Sequence, residues 1–123
     1  MIKVIFCLRR RMGMTVEEFQ RYWREVHGPL VERHREALRI VRYVQVHTDH
    51  GSLTDRLGGF RGASEPFDGV AEIWYESREA LSAIGKTPEG RAASQELLED
   101  ERQFVDLERS CIWVGEEVEV IPG

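Results

Sequence analysis

Four segments of the sequence have the composition of β-strands, and none of them has a purely polar face. The first, residues 2–8, is apolar except for Lys3, and the last, residues 111–120, carries bulky residues at successive positions. Successive side chains of a strand point to opposite faces of the sheet. A sheet built from these strands therefore has two apolar faces that must be kept from water, and this requirement constrains the fold.

The helix that follows the first strand has a well-marked beginning. Thr15 is a good N-cap residue, and Glu18 lies three positions later, which completes a capping box. Further along, Pro29 removes one backbone hydrogen bond. We expect the helix to kink there or to restart after Gly28.

The order of the remaining elements predicts the topology. Strands are predicted at residues 38–48 and 70–75, and Ser77 and Thr87 each have the sequence context of a helix N-cap. Residues 49–68 read as an irregular loop with at most a short helical turn near residues 54–57. The chain is therefore one α+β domain, residues 1–123, with the ferredoxin-like βαββαβ order: a four-stranded antiparallel sheet with helices on one face.

Two helices cover only one face of such a sheet. An open apolar face requires a partner, and the same face of a second copy supplies one through two-fold symmetry. The sequence thus favours a homodimer in which two sheets enclose a barrel, a dimeric α/β barrel. The alternative is a monomer whose open face is covered by the loop at residues 49–68.

Composition excludes several classes of function. The net charge of −5 argues against a nucleic-acid partner, and no apolar run approaches the eighteen residues of a membrane span. The apolar start, residues 1–8, is followed by three arginines rather than by a signal-peptide cleavage site. We read the protein as cytoplasmic, with no membrane partner, and its two cysteines, Cys7 and Cys111, as thiols without metal-ligand spacing.

Nearly the whole chain resembles one known family. The segments that carry the likeness are MTVEEF at 14–19, YW at 22–23, VHGPLV at 26–31 and FDGVAEIWY at 67–75. They are similar to the helix and third-strand signatures of the EthD family, and the pair DE at 100–101 also fits. The resemblance implies a dimeric α/β barrel with an internal pocket.

The activity implied by the resemblance is broad. EthD-like proteins take their name from an ether-degradation gene cluster, where they accompany an oxidising system, which is a loose association with oxidoreductases. Proteins of the same barrel class include lactone isomerases, monooxygenases, polyketide cyclases, decarboxylases and dehydratases. Fold alone does not fix function.

Three residues are candidates for proton transfer. His27 and His47 are imidazoles whose ordinary pKa lies near neutral pH, as a general base requires. Glu72 is a charge in the middle of an apolar strand, where burial would raise its pKa. The competing interpretations are that His27 only hydrogen-bonds the backbone near Pro29, and that Glu72 forms an ion pair with Arg42 or another arginine across the dimer interface.

Four residues are candidates for substrate binding. Tyr43 and Gln45 share a strand face with His47, and we expect this face to line the barrel, because polar groups packed under helices would be costly without partners. Trp74 and Trp113 would be aromatic walls of the same pocket, or plain core residues.

The sequence contains no further sign of a cofactor. The stretch His47–His50 offers metal ligands without a second cluster, and no glycine-rich phosphate loop follows a strand. We therefore expect no metal and no cofactor. The expected function is a cofactor-independent enzyme of the isomerase, cyclase, decarboxylase or dehydratase type, acting on a hydrophobic or aromatic small molecule. The alternative is a non-catalytic metabolite-binding protein or an accessory protein of an oxygenase system.

Overall fold

The computed structural model describes residues 1–123. Its strands are β1 (Ile2–Leu8), β2 (Arg42–His47), β3 (Gly69–Tyr75) and β4 (Cys111–Gly115). Its α-helices are α1 (Val16–Tyr22), α2 (Gly28–Arg33), α3 (Ser52–Arg61), α4 (Arg78–Ala83) and α5 (Pro88–Phe104). A π-helical turn, Trp23–His27, joins α1 to α2, and 3₁₀ turns follow α4 and α5.

The strands form one antiparallel sheet in the order β2-β3-β1-β4. This is the order of a ferredoxin-like βαββαβ fold. The predicted α+β class and topology are therefore confirmed.

The helical segment after β1 begins as its sequence predicts. The Thr15 side chain accepts a hydrogen bond from the Glu18 amide, and the Glu18 carboxylate accepts one from the Thr15 amide. The expected interruption at Pro29 takes the form of the π-helical turn, where the amide of Gly28 donates to the carbonyl of Trp23. Proline then occupies the first turn of α2, where its missing N–H costs nothing.

The π-helical turn buries two consequential side chains. Trp23 is 1% exposed and His27 is 5% exposed, and both face the sheet. Trp23 packs against Phe19 with ring centroids 5.6 Å apart. The wide turn lets an indole and an imidazole four residues apart share the face that is packed on the sheet.

The core lies between the helices and one face of the sheet. Its fully buried side chains include Trp23, Phe19, Phe104 and Leu8. The sheet side of this core consists of alternate residues of β1 and β3, among them Ile2, Val4, Ala71 and Tyr75. We call this side of the sheet the covered face and the other side the open face.

Two predicted strands are shorter than expected. The prediction for β2 began at Leu38, but residues 34–39 form turns after the end of α2. Arg39 reverses the direction of the chain with a φ of +54°. Leu38 and Ile40 are apolar because they belong to the core, not because they are in a strand. The prediction for β4 ran to Val120, but strand pairing ends at Gly115. Gly115 is opposite Lys3, and β1 begins at Ile2, so β1 extends only one residue further.

The loop predicted at residues 49–68 contains a ten-residue helix, α3, rather than a short turn. Gly62 ends it in the left-handed conformation, with its amide bonded back to Gly58 and Gly59. None of the residues of α3 is buried, and its apolar residues Leu53, Leu57 and Phe60 are exposed. The helix therefore has no buried apolar face that the sequence pattern could reveal. No helix of the structure is both long enough and apolar enough to span a membrane.

The close approach of Trp23 to β3 gives a stability prediction. A Cβ on Gly69 would overlap the indole of Trp23 and lie 3.0 Å from the carbonyl of Val46. We expect Gly69→Ala to lower the free energy of unfolding by about 1–3 kcal/mol through overpacking. Urea denaturation followed by circular dichroism measures this.

The matched control is Gly59→Ala, where a Cβ meets nothing within 4 Å in an exposed turn of α3. This change should raise stability by about 0.5–1 kcal/mol, since alanine favours a helix. Equal stability of the two alanine variants would contradict the packing described for Trp23.

Candidate functional site

A cavity of about 430 Å³ lies between the covered face of the sheet and the helices. Most of its wall is apolar, contributed by β1, β3, the π-helical turn, α2, α4 and α5. The side chains that can carry chemistry in this wall are His27, Tyr43, Tyr75, Ser94 and Glu101. Apolar walls with a few convergent polar groups are typical of a small-molecule site.

His27 is held in place by a carboxylate. Its Nδ1 lies 2.8 Å from Oδ2 of Asp100 on α5, and the hydroxyl of Tyr22 donates to Oδ1 of the same carboxylate at 2.6 Å. The ring of His27 also packs against Phe104 with centroids 5.0 Å apart. Helix, carboxylate and aromatic neighbour together fix the orientation of the imidazole.

The environment of His27 favours its neutral form. Burial lowers the pKa of His27, and the hydrogen bond and negative charge of Asp100 only partly oppose that effect. With Nδ1–H donating to Asp100, the lone pair of Nε2 is available, and this nitrogen makes no hydrogen bond within the protein. A neutral, oriented imidazole with a bare nitrogen is what a general base requires.

Tyr43 supplies a hydrogen-bond donor. Its hydroxyl oxygen accepts a hydrogen bond from Nε2 of Gln45 at 3.1 Å, and the same amide nitrogen donates to the carbonyl of Trp23 at 2.9 Å. Burial raises the pKa of Tyr43, and hydrogen bonding by Gln45 and Trp23 only partly opposes that effect. The hydroxyl keeps its proton, and that proton has no acceptor in the protein.

Glu101 is a second titratable group of the cavity. Burial, followed by the negative charge of Asp100, raises the pKa of Glu101 to about 7. It forms no salt bridge. A carboxyl group with this pKa can donate or accept a proton near neutral pH.

The sequence interpretation did not select Asp100 or Glu101 as site residues. A signal was present: Glu101 falls in the apolar stripe of α5, four residues after Leu97 and three before Phe104. A carboxylate in the packed stripe of an amphipathic helix is unusual unless it is paired or functional. Asp100 lies beside the stripe, and its pairing with His27 is evident only from the tertiary structure.

The structure corrects the predicted position of one strand face. Tyr43, Gln45 and His47 lie on the covered face, not on the open face. The free-energy cost of burying these polar groups is largely avoided, because they hydrogen-bond one another. Nε2 of His47 donates to Oε1 of Gln45 at 2.8 Å, and Gln45 donates to the carbonyl of Trp23. His47 stacks on Trp23 with ring centroids 4.5 Å apart, and its buried Nδ1 has no partner.

The remaining predicted site residues lie on the open face, away from this cavity. Glu72 accepts a hydrogen bond from Lys3 at 2.6 Å, so its partner within the chain is a lysine, and the predicted ion pair with an arginine across a dimer interface stays a prediction. Trp74 donates to Glu117 at 2.6 Å, and Trp113 is 49% exposed. Of the seven predicted residues, only His27 and Tyr43 line the cavity, and Gln45 supports Tyr43.

Comparison with known proteins identifies the family. The model of the EthD domain matches residues 11–108. Among proteins with curated functions, none matches the sequence significantly.

Several solved structures share the fold. An EthD family protein from Bacillus halodurans C-125 superposes with a TM-score of 0.64 at 19% identity, covering 96% of this chain and 99% of the other. An EthD-like protein from Ralstonia eutropha JMP134 gives 0.65 at 19% identity, with coverage of 98% and 94%. A putative antibiotic biosynthesis monooxygenase from Nitrosomonas europaea gives 0.55 at 13% identity, with coverage of 97% and 100%.

These structural likenesses extend along nearly the whole chain and agree in fold. The family match spans most of the sequence, including the π-helical turn, β3 and the Asp100-Glu101 pair of α5. The protein therefore belongs to the EthD family.

Proposed function

We propose that this protein is a cofactor-independent enzyme that moves a proton on a hydrophobic small molecule held in the cavity between sheet and helices. The observation that carries the proposal is the state of His27: buried, neutral and oriented by Asp100, with Nε2 free of any protein partner. His27 lines the cavity, whereas His47, whose buried Nδ1 also lacks a partner, does not.

The chemistry assigned to the site is removal of a proton from a carbon next to a carbonyl. Nε2 of His27 takes the proton and the C–H bonding electrons move onto the carbonyl oxygen. The hydroxyl of Tyr43 donates a hydrogen bond to that oxygen as negative charge develops there. Neutral Glu101 is the second donor, and it gives a proton to the substrate. His27 then releases its proton to water and Glu101 takes one up, which restores the starting state.

The cavity sets the class of substrate. A volume of about 430 Å³ fits a compact molecule of two or three rings, and the wall is mostly aliphatic and aromatic. A hydrophobic or aromatic carbonyl compound suits both the wall and the donors. Isomerisation, cyclisation, decarboxylation and dehydration all include such a proton transfer, so the proposal covers these reaction types.

The proposal includes a homodimer, because the open face of the sheet leaves apolar side chains exposed. Trp113 and Val46 are about half exposed there, at 49% and 48%. Trp74 is partly shielded by cations within the chain, since Lys3 and Arg42 lie 4.7 and 4.6 Å from the ring centroid. The alternative cover was the segment at residues 49–68. Its helix α3 buries none of its own residues.

Proton exchange at an activated carbon tests the catalytic proposal directly. We expect the protein to accelerate deuterium uptake at the α-carbon of 2-tetralone in D₂O, followed by proton NMR. His27→Gln should lower the enzymatic rate by about 100- to 10,000-fold, because it removes the general base. Asp100→Asn should lower it less and shift its pH dependence, because Asp100 only positions His27.

The chain offers a matched control for that experiment. Nε2 of His34 lies 2.8 Å from a carboxylate oxygen of Glu96, so it forms a second histidine–carboxylate pair with α5, but outside the cavity. His34→Gln should leave the exchange rate unchanged. If 2-tetralone binds and no variant changes its exchange, the protein is a binding or accessory protein and not an enzyme of this type.

The pH profile tests the role of Glu101. Below the lowered pKa of His27 the base is protonated, and above about 7 Glu101 loses its proton. We expect a bell-shaped rate profile with its alkaline limb near pH 7. Glu101→Gln, which stays neutral, should remove that limb while the acid limb persists; a limb that survives the substitution excludes Glu101 as the acid.

Light scattering coupled to size exclusion tests the dimer. Trp113→Glu places a charge on the open face and should convert a dimer of the 14.3 kDa chain into monomers. Phe60→Glu is the control, since Phe60 is an 87% exposed aromatic on α3, outside the sheet. A wild-type monomer, or a dimer that resists Trp113→Glu, would contradict pairing through the open face.

A further inference from the structure

A second cavity, of about 420 Å³, lies beside the edge strand β2 and the helices facing it. Its lining differs from that of the first cavity. It includes the arginines Arg24, Arg35 and Arg42 and a single acidic residue, Glu32. We call it the arginine cavity.

The arginines of this cavity are not neutralised by the protein. The structure records no ion pair and no side-chain hydrogen bond for Arg24 or for Arg35. Some arginines elsewhere have such partners: Arg10 lies 2.6 Å from Asp68, and Arg78 lies 2.7 Å from Glu116. Others, such as Arg21 and Arg33, have none, so the distinguishing feature of Arg24 and Arg35 is that they border the same cavity. Two unpaired guanidinium groups border one cavity in a protein whose net charge is −5.

The third arginine is held differently. The guanidinium of Arg42 stacks on Trp74, 4.6 Å from the ring centroid, at the edge of the sheet. It adds positive charge from the side of the strand. The groups available to contact a ligand are therefore Arg24, in the π-helical turn, and Arg35, two residues after the end of α2.

The arginine cavity adjoins the first cavity. Val31, Ile40 and Tyr43 line both, so these three side chains are the boundary between them. Gln45, which bonds the Tyr43 hydroxyl, also faces the arginine cavity. A ligand group seated between the arginines thus lies next to the side chain that is proposed to bind the reacting oxygen.

We propose that the arginine cavity binds an anionic substituent of the substrate, such as a carboxylate, while the apolar part of the molecule occupies the first cavity. This inference rests on the proposed function and narrows its substrate class to hydrophobic acids. Guanidinium groups bind carboxylates through paired, charge-assisted hydrogen bonds.

Isothermal titration calorimetry with two matched probes tests the inference. The probes are 2-naphthoate and the uncharged 2-naphthamide, which have the same rings and nearly the same shape. We expect the wild-type protein to bind 2-naphthoate at least about tenfold more tightly than 2-naphthamide. The double variant Arg24→Gln/Arg35→Gln should lose this preference and bind 2-naphthamide as well as the wild type does.

The double variant Arg21→Gln/Arg33→Gln is the control. Both residues are exposed, lie on the same helical segment and lie outside the arginine cavity, and the variant has the same change in net charge. It should keep the tenfold preference. A similar loss in the control would show a general charge effect and overturn the inference.

The two proposals fail in different ways. Equal affinity of the wild type for both probes overturns the arginine site and leaves the apolar cavity standing. Binding of neither probe overturns the inference together with the cavity on which it rests. Proton exchange on 2-tetralone, which carries no anionic group, reports on His27 independently of either arginine.

Discussion

The packing of Trp23 under the sheet is the interaction on which the rest of the site depends. Its indole needs a residue without a side chain beneath it, which Gly69 supplies on β3. Its carbonyl accepts a hydrogen bond from Gln45, which in turn holds the Tyr43 hydroxyl. Because Trp23 begins the π-helical turn that ends at His27, seating the indole also sets where the imidazole enters the cavity.

The polar groups of the covered face are arranged in two hydrogen-bonded sets within an apolar wall. One set runs from Tyr22 through Asp100 to His27, and the other links His47, Gln45 and Tyr43. Buried polar groups normally have partners. His27 keeps a lone pair unused and Tyr43 keeps a proton unused. Both residues line the cavity, whereas His47, whose buried Nδ1 is also unpartnered, does not.

The two faces of the sheet carry similar types of residue in different environments. The covered face combines apolar packing with a cavity, whereas the open face shields its aromatics only in part, through cations such as Lys3 over Trp74. Glu72 illustrates the difference, because on the open face its carboxylate forms a salt bridge with Lys3. Glu101 has no such cation, and burial followed by the negative charge of Asp100 raises its pKa.

The sequence by itself determined the element order, the capping box at Thr15 and the interruption at Pro29, because these depend on residues close together in the chain. It also marked His27 and Tyr43 as candidates. Only the tertiary structure decided which strand face meets the helices, since strands apolar on both faces leave that choice open and one step of register exchanges every side chain. The same holds for the partnership of His27 with Asp100, 73 positions apart, which exists only once α5 packs beside the π-helical turn.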